Sequence, residues 1–448
     1  MSELLILIEG NLVGRVRADR TGRLSLAYEG SWRESPQGHA LSVNLPLAQV
    51  SHSHKAVLSY LWNLLPENPN VLQRWGQQYR VSAANPFKLL AHVGADVPGA
   101  AQFLPPQRLE EFQSAQGAHA PVIEWLTLDE LAERLRDLRA DAAAVRRPQD
   151  IGKMSLPGAQ AKTAFYWDQH ADRWGVPGGR TPTTHIIKPC IPGFDGLVEN
   201  EHLCQDIAAR LGMPAANSRV LALDQTYIVV ERYDRLPPLP GSFFVQRIHQ
   251  EDVCQALGLM PGKKYQEEGG PGIAQIVTLI RRTSSDPDAD VDRFLKANIF
   301  NWLIGATDGH AKNYSLLIGA ADEVRLAPLY DLSSQLPYPQ LIQQRVAMRI
   351  GDHYDIRRVG IADWHKLARA CAIEEEHMLA LLANMADALP AEIAGAREQA
   401  LIDGLSESVI APLADRLLRH VAERRVTITS TASSKSRFVG KTRRREGT

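Results

Sequence analysis

The stretch of sequence that decides the fold is an apolar helical segment that ends in a polar loop, Trp302-Leu303-Ile304-Gly305-Ala306-Thr307-Asp308-Gly309-His310-Ala311-Lys312-Asn313. Apolar residues recur at helical spacing from Val291 to Leu303, and the pattern stops at Gly305, a residue type that commonly ends a helix. We therefore expect a buried helix that carries a polar loop at its end. Asp308 and Asn313 stand five positions apart on that loop and are the first candidate site residues.

The D-x-x-x-x-N spacing of Asp308 and Asn313 matches the catalytic loop of protein kinases. In such a loop the aspartate must reach the acceptor hydroxyl, while the asparagine reaches a magnesium ion on the ATP phosphates. A turn that is merely rich in aspartate and asparagine would contain the same residues. The spacing alone leaves both interpretations open.

A second acidic residue, Asp331, follows a short predicted strand in the run Leu326-Ala327-Pro328-Leu329-Tyr330-Asp331-Leu332. A carboxylate at a strand end downstream of the catalytic loop is where kinases hold the aspartate that bridges magnesium to the phosphates. Magnesium prefers carboxylate and carbonyl oxygens, which suits this residue type. The alternative is that Asp331 caps the N-terminus of a helix.

Upstream, the apolar run Thr184–Lys188 ends in a lysine and predicts a strand. A strand lysine of this kind neutralises the ATP phosphates in kinases and pairs with a glutamate on the next helix. Glu201 is the preferred partner, and Glu199 remains an alternative.

A loop of small residues lies just before the first strand of this region, Ser155-Leu156-Pro157-Gly158-Ala159-Gln160-Ala161-Lys162-Thr163. Its backbone N–H groups could bind phosphate oxygens, although it has neither the G-x-x-x-x-G-K nor the G-x-G-x-x-G pattern and could be a plain turn. The loop, the lysine, the glutamate, the Asp/Asn loop and the last aspartate nevertheless follow the kinase order. Their joint occurrence is hard to explain by chance.

With these features in order, the chain resembles the HipA family of bacterial toxin–antitoxin kinases from its first hairpin to about residue 420. The most specific pieces of the resemblance are Ser155–Thr163, Thr181–Lys188, Val230–Arg235, Gly269–Ile273 and Trp302–Asn313, together with Leu41–Leu47 and Asn63–Glu67.

The resemblance implies a role for each residue of the ATP machinery. Asp308 would be the catalytic base, Asn313 and Asp331 would hold Mg2+, and Lys188 would contact the ATP phosphates. The other residues expected to contact the nucleotide are Ser155, Gly158, Ala159, Gln160 and Lys162 of the phosphate loop, Glu231 and Tyr233 beside adenine, and His310 and Lys312 of the catalytic loop. Of the last two, Lys312 is expected to touch phosphate and His310 to be structural. Ser155 also matches the serine whose autophosphorylation flips the loop out and switches the kinase off.

Periodicity divides the chain into a strand-rich and a helix-rich half, which indicates two lobes with a ligand cleft between them. We predict an α+β, kinase-like fold with an N-terminal subdomain over 1–140 and an α/β lobe over 150–240. An all-α lobe is expected over 245–423. Residues 424–448 hold eight basic residues and one acidic residue, and we interpret them as a disordered tail.

The bulk properties of the chain exclude several other classes. A net charge of −1 over 448 residues gives no global field toward nucleic acid or membranes. The four cysteines have no C-x-x-C spacing, which argues against a zinc ribbon. We expect a cytoplasmic protein without a signal peptide or a membrane span, because no apolar run reaches the roughly 20 residues required.

The resemblance also implies partners. They are a HipB-like helix-turn-helix antitoxin, through which DNA would be contacted mainly indirectly, and a protein substrate such as glutamyl-tRNA synthetase or another aminoacyl-tRNA synthetase. Phosphorylation of that substrate would stall translation and arrest growth. Two alternatives stay open: a small-molecule or lipid kinase on the same fold, and a catalytically silent co-repressor.

Overall fold

The computed structural model describes residues 2–113, 121–237, 244–338 and 344–442, with side chains in the last helix as far as residue 428.

The N-terminal domain is a five-stranded antiparallel sheet, in the order β4-β3-β2-β1-β5, with short helices packed on it. Its elements are β1 (Ser2–Ile8), β2 (Asn11–Ala18), β3 (Leu24–Tyr28), α1 (Gly30–Arg33), β4 (Ser51–His52), α2 (His54–Trp62), α3 (Pro69–Tyr79), α4 (Pro86–Val93), β5 (Gln102–Leu104) and α5 (Leu109–Gln113). In β1, Leu4 and Ile6 face one core while Leu5 and Leu7 face another, so both faces of the strand are covered.

The second unit is a six-stranded antiparallel sheet in the order β10-β11-β9-β7-β8-β6. Its elements are β6 (Ile123–Leu126), α6 (Leu128–Ala140), β7 (Thr163–Asp168), β8 (Arg173–Pro177), β9 (His185–Pro189), α7 (Leu197–Arg210), β10 (Ser218–Ala222) and β11 (Thr226–Glu231). The strand β9 lies inside the sheet and carries Lys188, while α7 carries Glu201.

The predicted domain boundary at residue 140 is too late. Strand β6 pairs with β8 of the second sheet, and Leu131 and Leu135 of α6 pack against Phe165 and Trp174 in the core of that sheet. Residues 123–140 therefore belong to the second unit. The capping box Thr127–Glu130 marks the start of α6 in the sequence, but nothing local indicates which sheet the helix covers.

The C-terminal lobe is largely helical, and the α+β two-lobed class is confirmed. Its elements, with the short ribbon that precedes it, are β12 (Arg235–Leu236), β13 (Gln246–Arg247), β14 (His249–Asp252), α8 (Val253–Ala256), α9 (Ile273–Thr283), α10 (Pro287–Ile304), β15 (Ser315–Ile318), β16 (Val324–Leu326), β17 (Arg345–Ile350), β18 (His353–Asp355), α11 (Ile361–Ala370), α12 (Glu375–Ile402) and α13 (Glu407–Thr442).

The prediction that this lobe is all-α is wrong. Strands β14, β15 and β16 form a three-stranded sheet, and β17 and β18 form a hairpin. These strands have three to six residues, which is too short for an alternating pattern to stand out between long helical segments.

Helix α10 fixes the position of the polar loop that follows it. Every residue from Ala297 to Ile304 is buried, and Gly305 ends the helix in the left-handed conformation with φ +67°. The loop therefore leaves a helix that is surrounded by core on all sides.

The last two helices bear on two expectations, the absence of a membrane span and the disorder of the tail. Helix α12 is long and apolar enough to cross a membrane by length and composition, yet its Met378, Leu382 and Leu389 side chains are buried in the core of the lobe. Helix α13 runs to Thr442, so the prediction of disorder from Arg424 is wrong for residues 424–442. The helix starts inside the packed bundle, and the Arg424 guanidinium donates to the Ile356 carbonyl at 3.2 Å. Residues 443–448 of the predicted tail lie outside the described residues.

Candidate active site

A single cleft of about 540 Å³ lies where the three parts of the chain meet. All the predicted site residues except Ser155 line it: Gly158, Ala159, Gln160, Lys162, Lys188, Glu201, Glu231, Tyr233, Asp308, His310, Lys312, Asn313 and Asp331. Residues that are far apart in sequence thus face the same cavity.

Lys188 lies between two carboxylates. Its ammonium is 2.8 Å from Glu201 Oε1 and 2.7 Å from Asp331 Oδ1, so the helix partner is Glu201 and not Glu199. Burial favours the neutral amine, but Asp331 and Glu201 outweigh it and raise the pKa of Lys188 above its ordinary value. The lysine is therefore a fixed positive charge at the floor of the cleft.

Asp331 does not cap a helix, since no helix begins in the described residues that follow it, 332–338. Its backbone has φ +58°, a left-handed conformation that costs a non-glycine residue on the order of 1 kcal/mol. The side chain is 42% exposed to the cleft. Burial of the site acts against ionisation, but Lys188 and Lys162 prevail and hold the pKa of Asp331 below its usual range. The carboxylate is thus charged and open to a ligand.

The Asp308 carboxylate is exposed on the cleft wall and accepts a hydrogen bond of 2.6 Å from the Tyr265 hydroxyl. Neighbouring protein atoms desolvate it and raise its pKa, and Asp331 adds to the rise. A carboxylate of raised pKa is a better proton acceptor. The group can therefore serve as a general base.

His310 and Lys312 take different positions on the catalytic loop. The His310 ring is buried edge-on against Tyr265, with ring centres 5.1 Å apart, and burial lowers its pKa to about 3. The Lys312 ammonium lies 2.5 Å from Asp252 Oδ2 and 2.7 Å from Asn63 Oδ1. In this conformation the lysine joins the loop to the N-terminal domain, and its contact with phosphate stays a prediction.

The phosphate loop is packed against the N-terminal domain. The Ser155 hydroxyl donates to the Leu64 carbonyl at 2.7 Å and is fully buried, while the Glu67 N–H donates to the Gly158 carbonyl at 3.0 Å. Gly158 has φ +109°, which L side chains rarely adopt. The N-terminal domain therefore holds the loop in place over the cleft.

Lys162 lies near the end of this loop and is a second, half-buried cation near Lys188. Its ammonium donates to the Pro157 carbonyl at 2.9 Å. Burial and the charge of Lys188 lower the pKa of Lys162 to about 8. An anionic ligand would offset the repulsion between the two ammonium groups, so this part of the cleft favours a negatively charged ligand.

Glu231 and Tyr233 lie on the segment that joins the lobes. The Glu231 N–H donates to the Asn217 carbonyl at 2.8 Å, and the Tyr233 hydroxyl donates to Gln250 Oε1. The ring of Tyr233 lies 5.7 Å from that of Tyr330, and together they form an aromatic wall. A planar base would fit against such a wall.

The unpredicted residues of the cleft include four polar ones, Asn63, Glu67, Asp252 and Lys264. Tyr265, which bonds to Asp308 from beside the cleft, was not predicted either. Asn63 and Glu67 lie in a stretch that the family resemblance covers, but no chemical pattern marks them. Tyr265 is 43 positions before Asp308, so no spacing in the sequence connects the two.

Comparisons with known proteins identify the family of the chain. The HipA-like C-terminal domain matches residues 154–393, and the HipA N-terminal domain matches residues 4–104. The protein named "Putative kinase Y4mE" of Sinorhizobium fredii is 34% identical over 86% of this chain and 90% of its own length. The serine/threonine-protein kinase toxin HipA of Shewanella oneidensis is 30% identical over 77% of each chain.

A solved structure agrees as well. The complex of HipA, HipB and operator DNA from Shewanella oneidensis contains a chain that superposes with a TM-score of 0.81 at 25% identity, over 95% of this chain and 98% of that one. Both domain families match in the expected order, and the match to the C-terminal domain covers more than half of the sequence. The chain therefore belongs to the HipA family of kinases.

Proposed function

We propose that this chain is an ATP-dependent serine/threonine protein kinase that acts as the toxin of a toxin–antitoxin pair. The observation that carries the proposal is the Lys188 ammonium, held between Glu201 and Asp331, in the same cleft as Asp308 and Asn313. Phosphoryl transfer needs a fixed cation for the phosphates, a base for the acceptor and oxygen ligands for a metal. This cleft offers all three.

The proposed reaction uses these groups in a single displacement. The hydroxyl oxygen of a serine or threonine bonds to the γ-phosphorus, and the bond from that phosphorus to the β–γ bridging oxygen breaks. ADP leaves with the electron pair, and Asp308 takes the hydroxyl proton. Lys188 stabilises the charge on the phosphates, while Gly158, Ala159 and Gln160 cover them with backbone N–H groups.

The residues present fit Mg2+. The Asp331 carboxylate is open to the cleft, and the Asn313 amide has no hydrogen-bonding partner among the described residues. These are the hard oxygen donors that Mg2+ prefers, and we infer that they would hold it. When bound, the ion neutralises charge on the phosphates. The described residues contain no group of three or more His, Cys, Asp or Glu side chains suited to a metal.

The partners follow from the family and remain part of the proposal. The structural relative is described in a complex with HipB and operator DNA, which supports a HipB-like antitoxin as partner and indirect contact with DNA. An aminoacyl-tRNA synthetase, such as glutamyl-tRNA synthetase, is the proposed protein substrate, and phosphorylated Ser155 is the proposed inactive state.

The test is a phosphotransfer assay with the purified chain, labelled Mg-ATP, a synthetase panel and, in separate arms, lipid and small-molecule acceptors. We expect phosphoserine or phosphothreonine on a protein, identified by mass spectrometry, and its loss in Lys188→Met. Transfer only to a lipid or small molecule would replace the protein-kinase assignment. Tight ATP binding without turnover toward any acceptor would favour a silent co-repressor.

A further inference from the structure

Tyr265 makes a side-chain contact with the candidate base that the kinase proposal does not use. Its hydroxyl donates to Asp308 Oδ1 at 2.6 Å, and among the described side chains it is the only one that hydrogen-bonds this carboxylate. The ring lies edge-on against His310, and the Lys264 ammonium is 5.4 Å from the ring centre. Tyr265 therefore contacts two side chains of the catalytic loop, those of Asp308 and His310.

The segment that carries Tyr265, residues 260–272, is also anchored by contacts that do not involve the Asp308 side chain. The Lys264 carbonyl accepts the Ala311 N–H at 3.2 Å, and the Gln266 side chain accepts the Arg349 N–H at 2.7 Å. A Cβ on Gly270 would lie 2.3 Å from the Lys263 carbonyl oxygen, so the turn can close only around glycine. These contacts hold the Tyr265 hydroxyl in place even when the Asp308 side chain rotates.

The same segment is connected to the phosphate loop through the N-terminal domain. The Lys264 ammonium pairs with Glu67 Oε2 at 2.7 Å, and both side chains are at most 15% exposed. The backbone N–H of Glu67 donates to the Gly158 carbonyl at 3.0 Å. Continuous contacts thus run from Gly158 through Glu67 and Lys264 to Tyr265 and Asp308.

We propose that Tyr265 is a positioning residue that orients the Asp308 carboxylate, and that the Glu67–Lys264 pair makes this orientation depend on the inward position of the phosphate loop. The inference rests on the proposed kinase function and deepens it. A carboxylate has two oxygens, and with Oδ1 taken by Tyr265, Oδ2 is the oxygen left to accept the acceptor's proton. When Gly158 leaves Glu67, the support of Lys264, and with it that of the base, weakens.

The geometry favours positioning over the other role a hydroxyl could have there, which is to occupy the place of the acceptor. An occupant that must leave in each turnover would be expected on a loosely held segment. Tyr265 instead lies on a segment fixed by backbone and ionic contacts on both sides, including the pair Arg345–Glu267. The hydroxyl is therefore a permanent part of the base's environment.

The first test is Tyr265→Phe, which removes one hydroxyl and keeps the ring. We expect kcat to fall about tenfold, as for loss of orientation of a general base, with KM for ATP changed less than twofold. The matched control is Tyr79→Phe, whose ring stacks on His92 in the N-terminal domain away from the cleft, and which should keep both constants. Melting temperatures of the two variants exclude misfolding as a cause.

The second test is a double-mutant cycle with Glu67→Gln, which weakens the Lys264 pair but keeps the backbone contact with Gly158. If the contacts act as one unit, the double variant should fall in kcat no further than Tyr265→Phe alone. Glu375→Gln, which breaks a surface pair with Arg369, is the control for the charge change.

The outcomes distinguish a failure of the positioning role of Tyr265 from a failure of the proposed kinase function. A wild-type chain that transfers no phosphate to any acceptor would overturn the kinase proposal. An active wild type with an unchanged Tyr265→Phe would overturn the positioning role alone, and a faster Tyr265→Phe would show that the hydroxyl occupies the acceptor's place. Independent, multiplicative losses in the cycle would overturn the link through Glu67.

Discussion

Two of the charged clusters in the described part of the fold differ in how completely their carboxylates are paired. The first, the interface cluster, joins the N-terminal domain to the connector between the lobes and consists of Asp96, Arg232, Asp234 and Arg235. Arg232 binds both oxygens of Asp234, at 3.0 and 2.9 Å, and Arg235 binds Asp96 at 2.9 Å. Backbone N–H groups of Gly99 and Thr183 complete the two carboxylates.

The second, the cleft cluster, consists of Lys188, Glu201, Asp308, Asn313 and Asp331. Here Asp331 has one cationic partner within 4 Å among the described residues, and its side chain is 42% exposed, whereas no side chain of the interface cluster is more than 9% exposed. Asp308 has a hydroxyl partner and no cation within 4 Å among the described residues. Both clusters concentrate charge, but the cleft cluster alone leaves donors and acceptors for a ligand.

The comparison shows that charge density does not distinguish a site from a structural joint. In the interface cluster, burial alone would raise the pKa of Asp96, but the charges of Arg232 and Arg235 outweigh this effect and lower the pKa to about 2. In the cleft, burial prevails at Asp308 and raises its pKa. The cleft cluster differs in two ways: its carboxylates are incompletely paired, and the pKa values of Asp308 and Asp331 are shifted in opposite directions. Both features are typical of a functional site.

The strongest test of the contrast is Asp308→Asn, which removes the base without changing its size. We expect phosphotransfer to fall about a thousandfold, within the range for general base catalysis. ATP binding should persist, because Lys188, Glu201 and Asp331 are untouched. Measured kcat and nucleotide affinity check this, with the surface variant Asp352→Asn as control. Retention of near wild-type transfer would remove Asp308 from the mechanism.

Asp234→Asn should have the opposite profile, with a loss of stability and little change in catalysis. It takes one negative charge from two buried arginines, which typically costs about 3 kcal/mol of the free energy of unfolding. Denaturant unfolding measures the loss. Asp234 borders the cleft, but Arg232 and the Gly99 N–H already occupy its carboxylate oxygens, so KM for ATP should stay as in the wild type. Asp206→Asn, which breaks an exposed pair with Arg210 on one helix, should cost less than about 0.5 kcal/mol. Equal costs for the two variants would contradict the distinction.

The sequence allowed much of the cleft to be predicted because each element carries its own local signal. Lys188 ends an apolar strand and Gly305 ends an apolar helix, so both could be assigned from neighbours in sequence. The structure brings Lys188 to Glu201, the partner preferred from the sequence, and places Asp331 beside the same ammonium. Site residues that lie next to a strand or helix with a clear apolar pattern can thus be predicted from the sequence alone.

What the sequence could not indicate depends on contacts between distant segments. The sheet that β6 joins, the pairing of β14 with β15, and the approach of Tyr265 to Asp308 are all set by tertiary packing. The Arg232 and Asp234 side chains were quoted within a family motif, but nothing in their spacing distinguished a joint from a site. Burial and pairing are properties of the folded chain, so only the structure separates the two clusters.

A smaller effect is expected at Lys162, a cation of the cleft whose partner is a carbonyl. Because burial and Lys188 lower its pKa to about 8, it is only partly protonated at pH 8.5. Nucleotide phosphates favour the charged form, so ATP binding at that pH should take up protons. Calorimetry in buffers of different ionisation enthalpy measures the uptake. Lys162→Met should abolish it and weaken ATP binding about tenfold, equivalent to about 1.4 kcal/mol. Unchanged proton uptake in Lys162→Met would assign it to another group.

The smallest effect is expected for Ser155→Ala, because the substitution removes one neutral side-chain hydrogen bond of the packed phosphate loop and keeps the backbone bond to the Asp96 carbonyl. Loss of the bond to the Leu64 carbonyl should lower the free energy of unfolding by about 1 kcal/mol. Denaturant unfolding checks that value, and Ser408→Ala, on the exposed first turn of α13, is the control.

The same residue tests whether the packed loop is also a switch. Ser155 has no exposed surface, so it can receive a phosphate only when the loop has left the N-terminal domain. A phosphate adds up to two negative charges and cannot return to a site that faces the Leu64 carbonyl. Once modified, the loop should stay out, and ATP affinity should fall because Gly158 and Lys162 leave with it. Incubation with Mg-ATP, phosphate mapping by mass spectrometry and ATP titration before and after modification measure this sequence of events. Phosphate on other residues alone, or undiminished ATP affinity of the Ser155-modified protein, would leave Ser155 as a structural residue that belongs with the interface cluster.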